Sequence, residues 1–416
     1  MCHPFFSFLL FQKPEIENQY MANYMESAKQ QRRICYVATS FATENDFRFA
    51  HKQCPGLVKK GFDVCYFAQS DKEKNINGVR IIGIKRGKNK FRQALLPWKL
   101  LGRLLKQPCN AYHLSNAELL PIALVLKLVT KRRVVFDFRE DYIEFVRLKP
   151  YVKGPLKYLL VGAIRAMVWL ACKSMDGVIF GDEGVQENYP VIPPGRQMFF
   201  HHFPLLSMFG ANPVPFSKRR YDVVYLGSIS ETGGILVMLE AIALLKKKHK
   251  NLRALLIGQP VEYIEERFYN FIKEKGLEDT IEITGRIPYP KVPKLLNQAK
   301  VGLIGLLDLP KFHRQSATKL FEYMAKGIPC VSVDLPPERR FMISGEHGYL
   351  VPPENPQAMA DAIYKIISEP QVGEQMAKNC REHLLKQGYY AEKEIDKLAE
   401  FYDYILSNPR RLLCGS

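Results

Sequence analysis

Short apolar runs alternate with stretches of helical periodicity along most of this sequence. In the first half, "RICYVATSF" (33–41), "FDVCYFAQ" (62–69) and "RRVVFDFRED" (132–141) have the length and the β-branched or aromatic content of buried strands. The segments between them place apolar residues at helical spacing, and the first of these segments stops at Gly61. Such alternation predicts a parallel sheet with helices on both of its faces.

The same pattern begins again after a polar, proline-rich segment near 205–220. It restarts with the strand "YDVVYLGS" and runs to "TKLFEYMAKGIPCVSVD" (318–334), which is typical of a helix followed by a buried strand. The sequence therefore predicts two doubly wound α/β domains, at 31–207 and 218–390. Ligands of such sheets bind at the carboxyl ends of the strands, which here means the cleft between the domains.

Charge and cysteine content narrow the function classes. The formal net charge is +18, which indicates an anionic partner such as a phosphorylated substrate or an anionic membrane. No nucleic-acid-binding motif accompanies the charge, so we do not expect a nucleic-acid partner. The nine cysteines are scattered, without a CxxC pair or a Cys/His cluster, and we expect reduced thiols of a cytosolic protein and no metal site.

Two apolar stretches need a separate interpretation. The run 4–11 is too short to span a bilayer and lacks the flanks of a signal peptide, so residues 1–30 are expected to be a poorly ordered extension. The stretch 158–180 is interrupted by three charged residues, which favours a helix followed by a strand over a transmembrane segment: Arg165, Lys173 and Asp176.

The segment "SATKLFEYMA" places a small polar loop before a helix. The N–H groups of a helix start carry partial positive charge, so the amides of Ser316 to Lys319 can hold a diphosphate, and the Lys319 side chain adds a cation. Glu322, one turn later, can accept two hydrogen bonds from a cis-diol such as ribose. The alternative is that Glu322 is a carboxylate that only favours the helix dipole.

Several segments, in order over about 33–406, resemble the group 1 (family 4) glycosyltransferases. The segment "TKLFEYMAKGIPCVSVD" is similar to the nucleotide-sugar motif of that family, and "YLGSISETGGI" to the glycine loop of its second domain. Further similar segments are "DFRFAHKQCPGLVKKGFDV", "YHLSNAELLPIALVLK", "RRVVFDFREDY", "ITGRIPYPKVPKLLNQAKVGLIGL" and "GYLVPPENPQAMADAI".

The resemblance implies the GT-B fold, in which two Rossmann-like domains face each other across a cleft and a C-terminal helix (391–416) returns to the first domain. It implies a retaining hexosyltransferase that moves a sugar from a UDP- or GDP-sugar without a metal or other cofactor. We expect a lipid-linked or polysaccharide acceptor in cell-envelope synthesis, such as lipopolysaccharide. The expected location is cytoplasmic, peripheral on the inner face of the plasma membrane. A small soluble acceptor is the alternative.

The sequence departs from the pattern of that family in the segment Ser115-Asn116-Ala117-Glu118 and at four single positions. Arg314 replaces an acidic residue, Arg139 replaces a histidine near the reacting sugar, Gly233 replaces a cation that grips the diphosphate, and His202 replaces an asparagine. Arg139 or Arg314 can supply the missing cation from another direction. The alternative is an inactive protein that serves as the partner or scaffold of another transferase.

The resulting site predictions fall into three groups. The predicted catalytic residues are Arg139, Glu140 and Glu322. The predicted donor-binding residues are Gly227, Ser230, Gly233, Gly234, Arg286, Arg314, Ser316, Ala317, Thr318, Lys319, Leu320 and Glu322, with His313 as a further neighbour of the nucleotide. The predicted acceptor side comprises Asp46, Arg48 and His113, although a histidine at the position of His113 is more often structural.

A basic stretch, 85–107, holds eight Lys or Arg residues and no acid. Apolar residues can share one helical face there, which is typical of a membrane-surface helix: Trp98, Leu101, Leu104 and Leu105. We therefore expect contact with an anionic membrane surface through 85–107. The alternative is a packed surface helix whose lysines are merely solvated.

Overall fold

The computed structural model describes residues 32–39, 46–85, 95–147, 154–210 and 214–408, and the side chains of 145, 146 and 156 are not among the described ones. The predicted extension 1–30 lies outside this range. Two parallel sheets, one in each half of the chain, organise the described residues.

The first sheet is built from the strands β1 (Arg33–Ala38), β2 (Asp63–Gln69), β3 (Lys74–Ile76), β4 (Val79–Ile84), β5 (Ala111–Ser115), β6 (Arg133–Phe138), β7 (Gly177–Phe180) and β8 (Gln197–Phe199). Its order is β3-β4-β2-β1-β5-β6-β7-β8, and every neighbouring pair is parallel except β3 with β4. The central strands are buried on both faces, as a parallel sheet requires.

The second sheet comprises β9 (Tyr221–Leu226), β10 (Ala254–Ile257), β11 (Ile281–Ile283), β12 (Ala299–Ile304), β13 (Cys330–Val333) and β14 (Gly348–Val351). Its order is β11-β10-β9-β12-β13-β14, and all neighbours are parallel. The strand order reverses at β9 and β12, so their carboxyl ends form the crevice where ligands of such sheets bind.

Helices cover both faces of the first sheet. The helices of this half are α1 (Cys54–Lys59), α2 (Leu96–Lys106), α3 (Leu120–Val129), α4 (Tyr142–Arg147), α5 (Pro155–Ser174) and α6 (Glu183–Gln186), and a π-helical turn, Phe49–Gln53, leads into α1. Helices α2, α3 and α5 pack on one face through Leu100, Leu126 and Val168. Helix α1 packs on the other face through Leu57.

The connection and the second half contain α7 (Leu206–Phe209), α8 (Ile235–Lys248), α9 (Glu265–Glu274), α10 (Val292–Leu296), α11 (Thr318–Ala325), α12 (Pro336–Phe341), α13 (Pro356–Ser368), α14 (Pro370–Gln387) and α15 (Ala391–Ser407). Helices α8, α9 and α13 share one core on one face of the second sheet. Helices α10, α11 and α14 share the core on the opposite face.

The last helix, α15, packs against the first sheet and not against the second. Ile395, Tyr402 and Ile405 join the core that contains β1 and β2. The approach is close, because a Cβ added to Gly177 would lie 2.3 Å from Cδ1 of Ile405. Glycine at this position therefore allows α15 to reach the sheet.

A buried histidine fixes α15 to the segment that leaves the first sheet. The His201 ring lies 3.0 Å from the Glu183 carboxylate and 3.3 Å from that of Glu394 on α15. Burial opposes protonation of His201, but the hydrogen bonds to these two carboxylates outweigh it and raise its pKa to about 9, above the ordinary value of 6.5. His201 is therefore a cation at neutral pH.

We expect His201→Gln to remove a pH-dependent part of the stability. Because the folded-state pKa is raised, the stabilisation is complete below about pH 6.5 and is lost as the pH rises through about 9, with an upper limit of about 3 kcal/mol. Denaturant titrations at pH 6 and pH 9.5 measure the effect. A wild-type protein with equal free energies of unfolding at both pH values, or a variant with the same slope as the wild type, would contradict this prediction.

Candidate functional site

Two cavities meet where the strands of both sheets end. The interdomain cleft has a volume of about 390 Å³. The first half of the chain contributes Asp46, Phe47, Arg48, Lys52, Arg139 and His202 to its lining. The second half contributes Leu226, Gly227, Tyr289, Thr318, Lys319 and Glu322. The loops that follow β1, β6 and β8 therefore face those that follow β9 and β12.

The second cavity, here called the strand-end pocket, has a volume of about 440 Å³ and lies within the second half. Its walls are the segments after β9, β10 and β11, including Gln259, Pro260 and Arg286. Gly227 and Tyr289 line both cavities, so the two cavities adjoin. A Cβ at Gly258 would lie 1.9 Å from the carbonyl oxygen of Gly227, which has a φ of 130°. Glycines are therefore required where the two strand ends meet.

Helix α11 directs its first turn at the cleft. Thr318 and Lys319 are its first residues, and amides at helix starts have no intrahelical acceptor. The Lys319 ammonium lies 3.9 Å from the centre of the Tyr225 ring and beside Gly227. The positive end of the helix dipole and the Lys319 ammonium therefore both lie where the two cavities adjoin, and they would stabilise an anion there.

Glu322 is the acidic group that α11 presents to the cleft. It is buried, and the Tyr289 hydroxyl donates a hydrogen bond to its Oε1. Burial raises the pKa of Glu322 above its ordinary value, although Tyr289 and two nearby cations, Lys52 and Lys319, oppose the shift. A buried carboxylate with a single hydroxyl partner retains free acceptor capacity, which a diol can use.

The first half brings three cations to the opposite wall. Burial lowers the pKa of Lys52 to about 8, and its Nζ donates to the carbonyl oxygen of Phe203. Arg139 lies 3.4 Å from Asp46 and stacks over the ring of Phe49. Arg48 is the third cation. The wall facing Glu322 is therefore mainly positive, with Asp46 as its acidic member.

Arg48 is held in place by a buried ion pair. Its Nη2 donates to both carboxylate oxygens of Asp137 at 2.7 Å, and the two side chains are 3% and 0% exposed. Its Nη1 lies 2.5 Å from the His202 ring. Burial lowers the pKa of His202 well below its usual value, so this ring is neutral and accepts from Arg48. Arg48 is thus a rigid part of the cleft floor.

His113 does not lie in the cleft, and its prediction as an acceptor residue is wrong. It is fully buried on β5, where its ring stacks on Tyr36 and contacts the Tyr402 hydroxyl and Asp137. The apolar packing of α15 over this strand covers the position. His113 therefore contacts the Asp137 carboxylate within the core and has no access to a ligand.

The amides of Ser316 and Ala317 are already occupied, contrary to the prediction that they hold a diphosphate. The Ser316 N–H donates to Asp182 at 3.0 Å, and the Ala317 N–H donates to Glu338 at 3.2 Å. Burial raises the pKa of Glu338 to about 7. Two acidic side chains thus take the place that an anion would need. The amides of Thr318 and Lys319 remain as candidates.

Other predicted residues also lie away from the two cavities. Arg314 faces Asp141 and Glu144 of the first half, at 3.8 and 3.9 Å, so its charge is directed away from the cleft. Glu140 is exposed outside the cleft lining, and His313 pairs with Asp308. Ser230 does not line either cavity, and its hydroxyl accepts a hydrogen bond from the Gly233 N–H of the same loop. The other three predicted residues are buried: Gly233, Gly234 and Leu320.

The predictions that do meet at the two cavities are Asp46, Arg48, Arg139, Gly227, Arg286, Thr318, Lys319 and Glu322. Sequence reasoning missed Lys52, Phe47 and Tyr289. Lys52 lies in a segment of helical periodicity, where a lysine is normally solvated, and only its burial shows its role. Among the described residues, no group of three or more His, Cys, Asp or Glu side chains could hold a metal ion.

Comparison with known proteins connects the second half to a sequence family. Residues 211–383 match the family model described as "Glycosyl transferases group 1". The alpha-D-kanosaminyltransferase of Streptomyces kanamyceticus is 26% identical over 159 residues, which is 38% of this chain and 39% of the relative. The putative colanic acid biosynthesis glycosyltransferase WcaL of Escherichia coli K12 is 26% identical over the same shares of the two chains. The chain thus matches about two fifths of the length of these relatives.

Similarity in structure extends over nearly the whole chain. Sucrose-phosphate synthase from Thermosynechococcus elongatus has a TM-score of 0.72 at 16% identity, covering 90% of this chain and 99% of the other. Anabaena HepE, solved in complex with UDP and glucose, has a TM-score of 0.69 at 13% identity, covering 89% and 99%. At such identities the likeness establishes the fold. The chain therefore has the GT-B fold, and its residues 211–383 match the group 1 glycosyl transferases in sequence.

Proposed function

We propose that this protein is a glycosyltransferase that moves a sugar from a nucleotide diphosphate sugar to a glycan acceptor. The observation that carries the proposal is the meeting of Glu322, Lys319 and the start of α11 at the junction of two cavities. The ribose of such a donor needs a group that accepts hydrogen bonds from its two hydroxyls, and the diphosphate needs cations and free amides. Both needs are met within a single turn of helix.

Each part of the site has a role in this proposal. The strand-end pocket takes the base, Glu322 accepts the ribose hydroxyls, and the amides of Thr318 and Lys319 hold the diphosphate. During transfer an acceptor hydroxyl oxygen bonds to the anomeric carbon, and the bond from that carbon to the diphosphate oxygen breaks. Negative charge gathers on the leaving diphosphate, which takes up the proton of the acceptor hydroxyl. Lys319 and Arg139 stabilise that charge from opposite walls, and Lys52 adds to the positive field.

These cations lead us to propose a transfer that needs no metal. Arg139 takes the role of the cation that is missing at Gly233, since the structure directs the other candidate, Arg314, elsewhere. Retention of the anomeric configuration and a UDP- or GDP-sugar donor are part of the same proposal. They rest on the sequence resemblance of the α11 segment.

For the acceptor we propose a lipid-linked or growing surface polysaccharide on the cytoplasmic side of a bacterial plasma membrane. The match to a relative named for colanic acid biosynthesis supports a polysaccharide. The relative named for kanosaminyl transfer supports the alternative of a small acceptor. Asp46 and Arg48, on the wall opposite α11, are the proposed acceptor contacts.

A second candidate function is an inactive GT-B protein that acts as the partner of another transferase. Groups that would bind a donor already have partners within the protein, which favours this candidate. The Ser316 and Ala317 amides donate to Asp182 and Glu338, and the Glu322 carboxylate accepts from Tyr289. An assay of UDP and GDP release from common sugar nucleotides, with a bacterial lipid extract as acceptor source, separates the two. Release by the wild type and none by Glu322→Ala supports the transferase; a donor that binds without release supports the inactive partner.

We expect Tyr289→Phe to tighten nucleotide binding. The Tyr289 hydroxyl occupies Oε1 of Glu322, so a ribose must displace it, at a cost on the order of 1 kcal/mol. Removing the hydroxyl while retaining the ring, which packs 3.7 Å from the Phe47 ring, should lower the dissociation constant of UDP or GDP about fivefold. Calorimetric titration measures it. Tyr263→Phe, at an exposed tyrosine outside both cavities, is the control, and weaker binding by Tyr289→Phe would contradict the prediction.

A further inference from the structure

Three neighbouring helices, α2, α3 and α5, cover one face of the first sheet. They contain no Asp or Glu, although the chain has 42 acidic residues. Exposed basic side chains lie on them instead: Lys99, Lys106, Arg165 and Lys173. The outward surface of these three helices, here called the helical face, therefore carries charge of one sign.

The helical face also exposes large apolar side chains. Both tryptophans of the chain lie on it, with 51% of Trp98 and 54% of Trp169 exposed. The other large apolar side chains exposed there are Leu105, Leu128, Val129, Tyr158, Leu159, Leu160 and Leu170. Each of the other helices in the described chain exposes at most one large apolar side chain. Such a concentration of exposed apolar side chains on three helices that pack side by side indicates an interaction site.

The helical face differs from the membrane-surface helix that the sequence predicted within 85–107. Leu104 is fully buried and Leu101 packs against the core, so α2 alone exposes only part of the predicted apolar stripe. Residues 86–94 lie outside the described residues. Helix α5, predicted from its charged residues only as a helix that does not span a membrane, contributes more of the exposed apolar surface, including Tyr158 at 81% exposure.

We propose that the helical face docks on an anionic lipid bilayer, with its three helices lying in the plane of the headgroups. A bilayer offers uniform negative charge above an apolar interior, which matches basic residues interspersed with Trp, Tyr and Leu. A second copy of the chain fits less well. A twofold dimer would place the same positive surface on both sides of its interface, where like charges repel.

The helices can lie on a bilayer but are not free to insert across it. The inner side of α5 is fixed to the sheet through Val168 and Ala171, and that of α2 through Leu100 and Leu104. Among the described residues, no helix combines the length and apolar character that crossing a membrane requires. Docking is thus interfacial and reversible. It does not depend on whether the cleft transfers a sugar.

The test uses the full chain and vesicles of phosphatidylcholine, with or without about 30% phosphatidylglycerol. We expect flotation with the anionic vesicles and loss of flotation at high salt. Because the only two tryptophans lie on the helical face, their emission should shift to the blue on binding, and bromine-labelled lipids should quench it. Flotation without these fluorescence changes would place the contact on another face and overturn the proposal.

Two variants of equal charge change complete the test. The first variant carries Gln in place of four basic residues of the helical face: Lys99, Lys106, Arg165 and Lys173. It should bind anionic vesicles about 100-fold more weakly than the wild type. The matched control carries Gln at four exposed lysines of the second half: Lys250, Lys273, Lys294 and Lys378. Equal loss in both variants would overturn the proposal. So would a wild-type dimer in sedimentation equilibrium that Trp169→Ala dissociates, since the face would then bind a second copy.

Discussion

Glu322→Ala is expected to weaken the binding of UDP or GDP by about 100-fold, because two charge-assisted hydrogen bonds to the ribose diol are lost. Glu322→Gln should weaken nucleotide binding by about tenfold, because the amide can still accept one hydrogen bond and donate another, both weaker than those of a carboxylate. Isothermal titration with the nucleotide diphosphate measures both. The graded series separates a loss of charge from a loss of the side chain.

The structure supplies the control for this series. Glu278 is an exposed carboxylate of the second half that lines neither cavity, so Glu278→Gln changes the charge equally without touching the site. Circular dichroism must show that all variants remain folded. Unchanged nucleotide affinity in Glu322→Ala would contradict the role of Glu322 and support the alternative of a carboxylate that only favours the helix dipole.

Arg48→Met is expected to destabilise the protein by about 3–5 kcal/mol, because it leaves the fully buried Asp137 without its cation. Burial opposes ionisation of Asp137, but Arg48, followed by His113, holds its pKa below the ordinary value. Without Arg48 the carboxylate must take up a proton or remain as an unpaired buried charge. Denaturant titration at pH 7 measures the loss.

A surface ion pair provides the matched comparison. Arg32 pairs with Asp403 on α15, but the two side chains are 33% and 49% exposed, and such pairs contribute only about 0–1 kcal/mol. Arg32→Met should therefore have a small effect, while Arg48→Met has a large one. Similar losses in the two variants would show that burial does not govern the strength of the Arg48–Asp137 pair in this fold.

The periodicity of the sequence was sufficient to predict the two sheets and their carboxyl ends. Together with the resemblance of the segments 225–235 and 318–334 to the family's motifs, periodicity predicts Gly227, Lys319 and Glu322 at the cleft, and all three line it. Those positions are set by where strands end and helices begin. Neighbouring residues determine these boundaries, so the spacing of apolar residues and glycines can predict them.

Partners that lie far apart in sequence could not be predicted in this way. Asp182 reaches the Ser316 amide across 134 positions, and nothing near Ser316 signals that its N–H is occupied. Lys52 enters the cleft because the helix that carries it packs beneath α15, which is a tertiary contact. The burial of His113 has the same origin. Such residues are found only when the two halves of the chain are placed together.

The proposed function requires that the second domain bind a nucleotide diphosphate sugar. The most direct measurement is a thermal-shift titration of the wild type with UDP, GDP and their common sugars. A ligand at 100 times its dissociation constant should add about 2.7 kcal/mol of stability. We expect the nucleotides of one base, either uracil or guanine, to raise the melting temperature of the wild type and to leave that of Glu322→Ala unchanged. No stabilisation of the wild type by any nucleotide would contradict it.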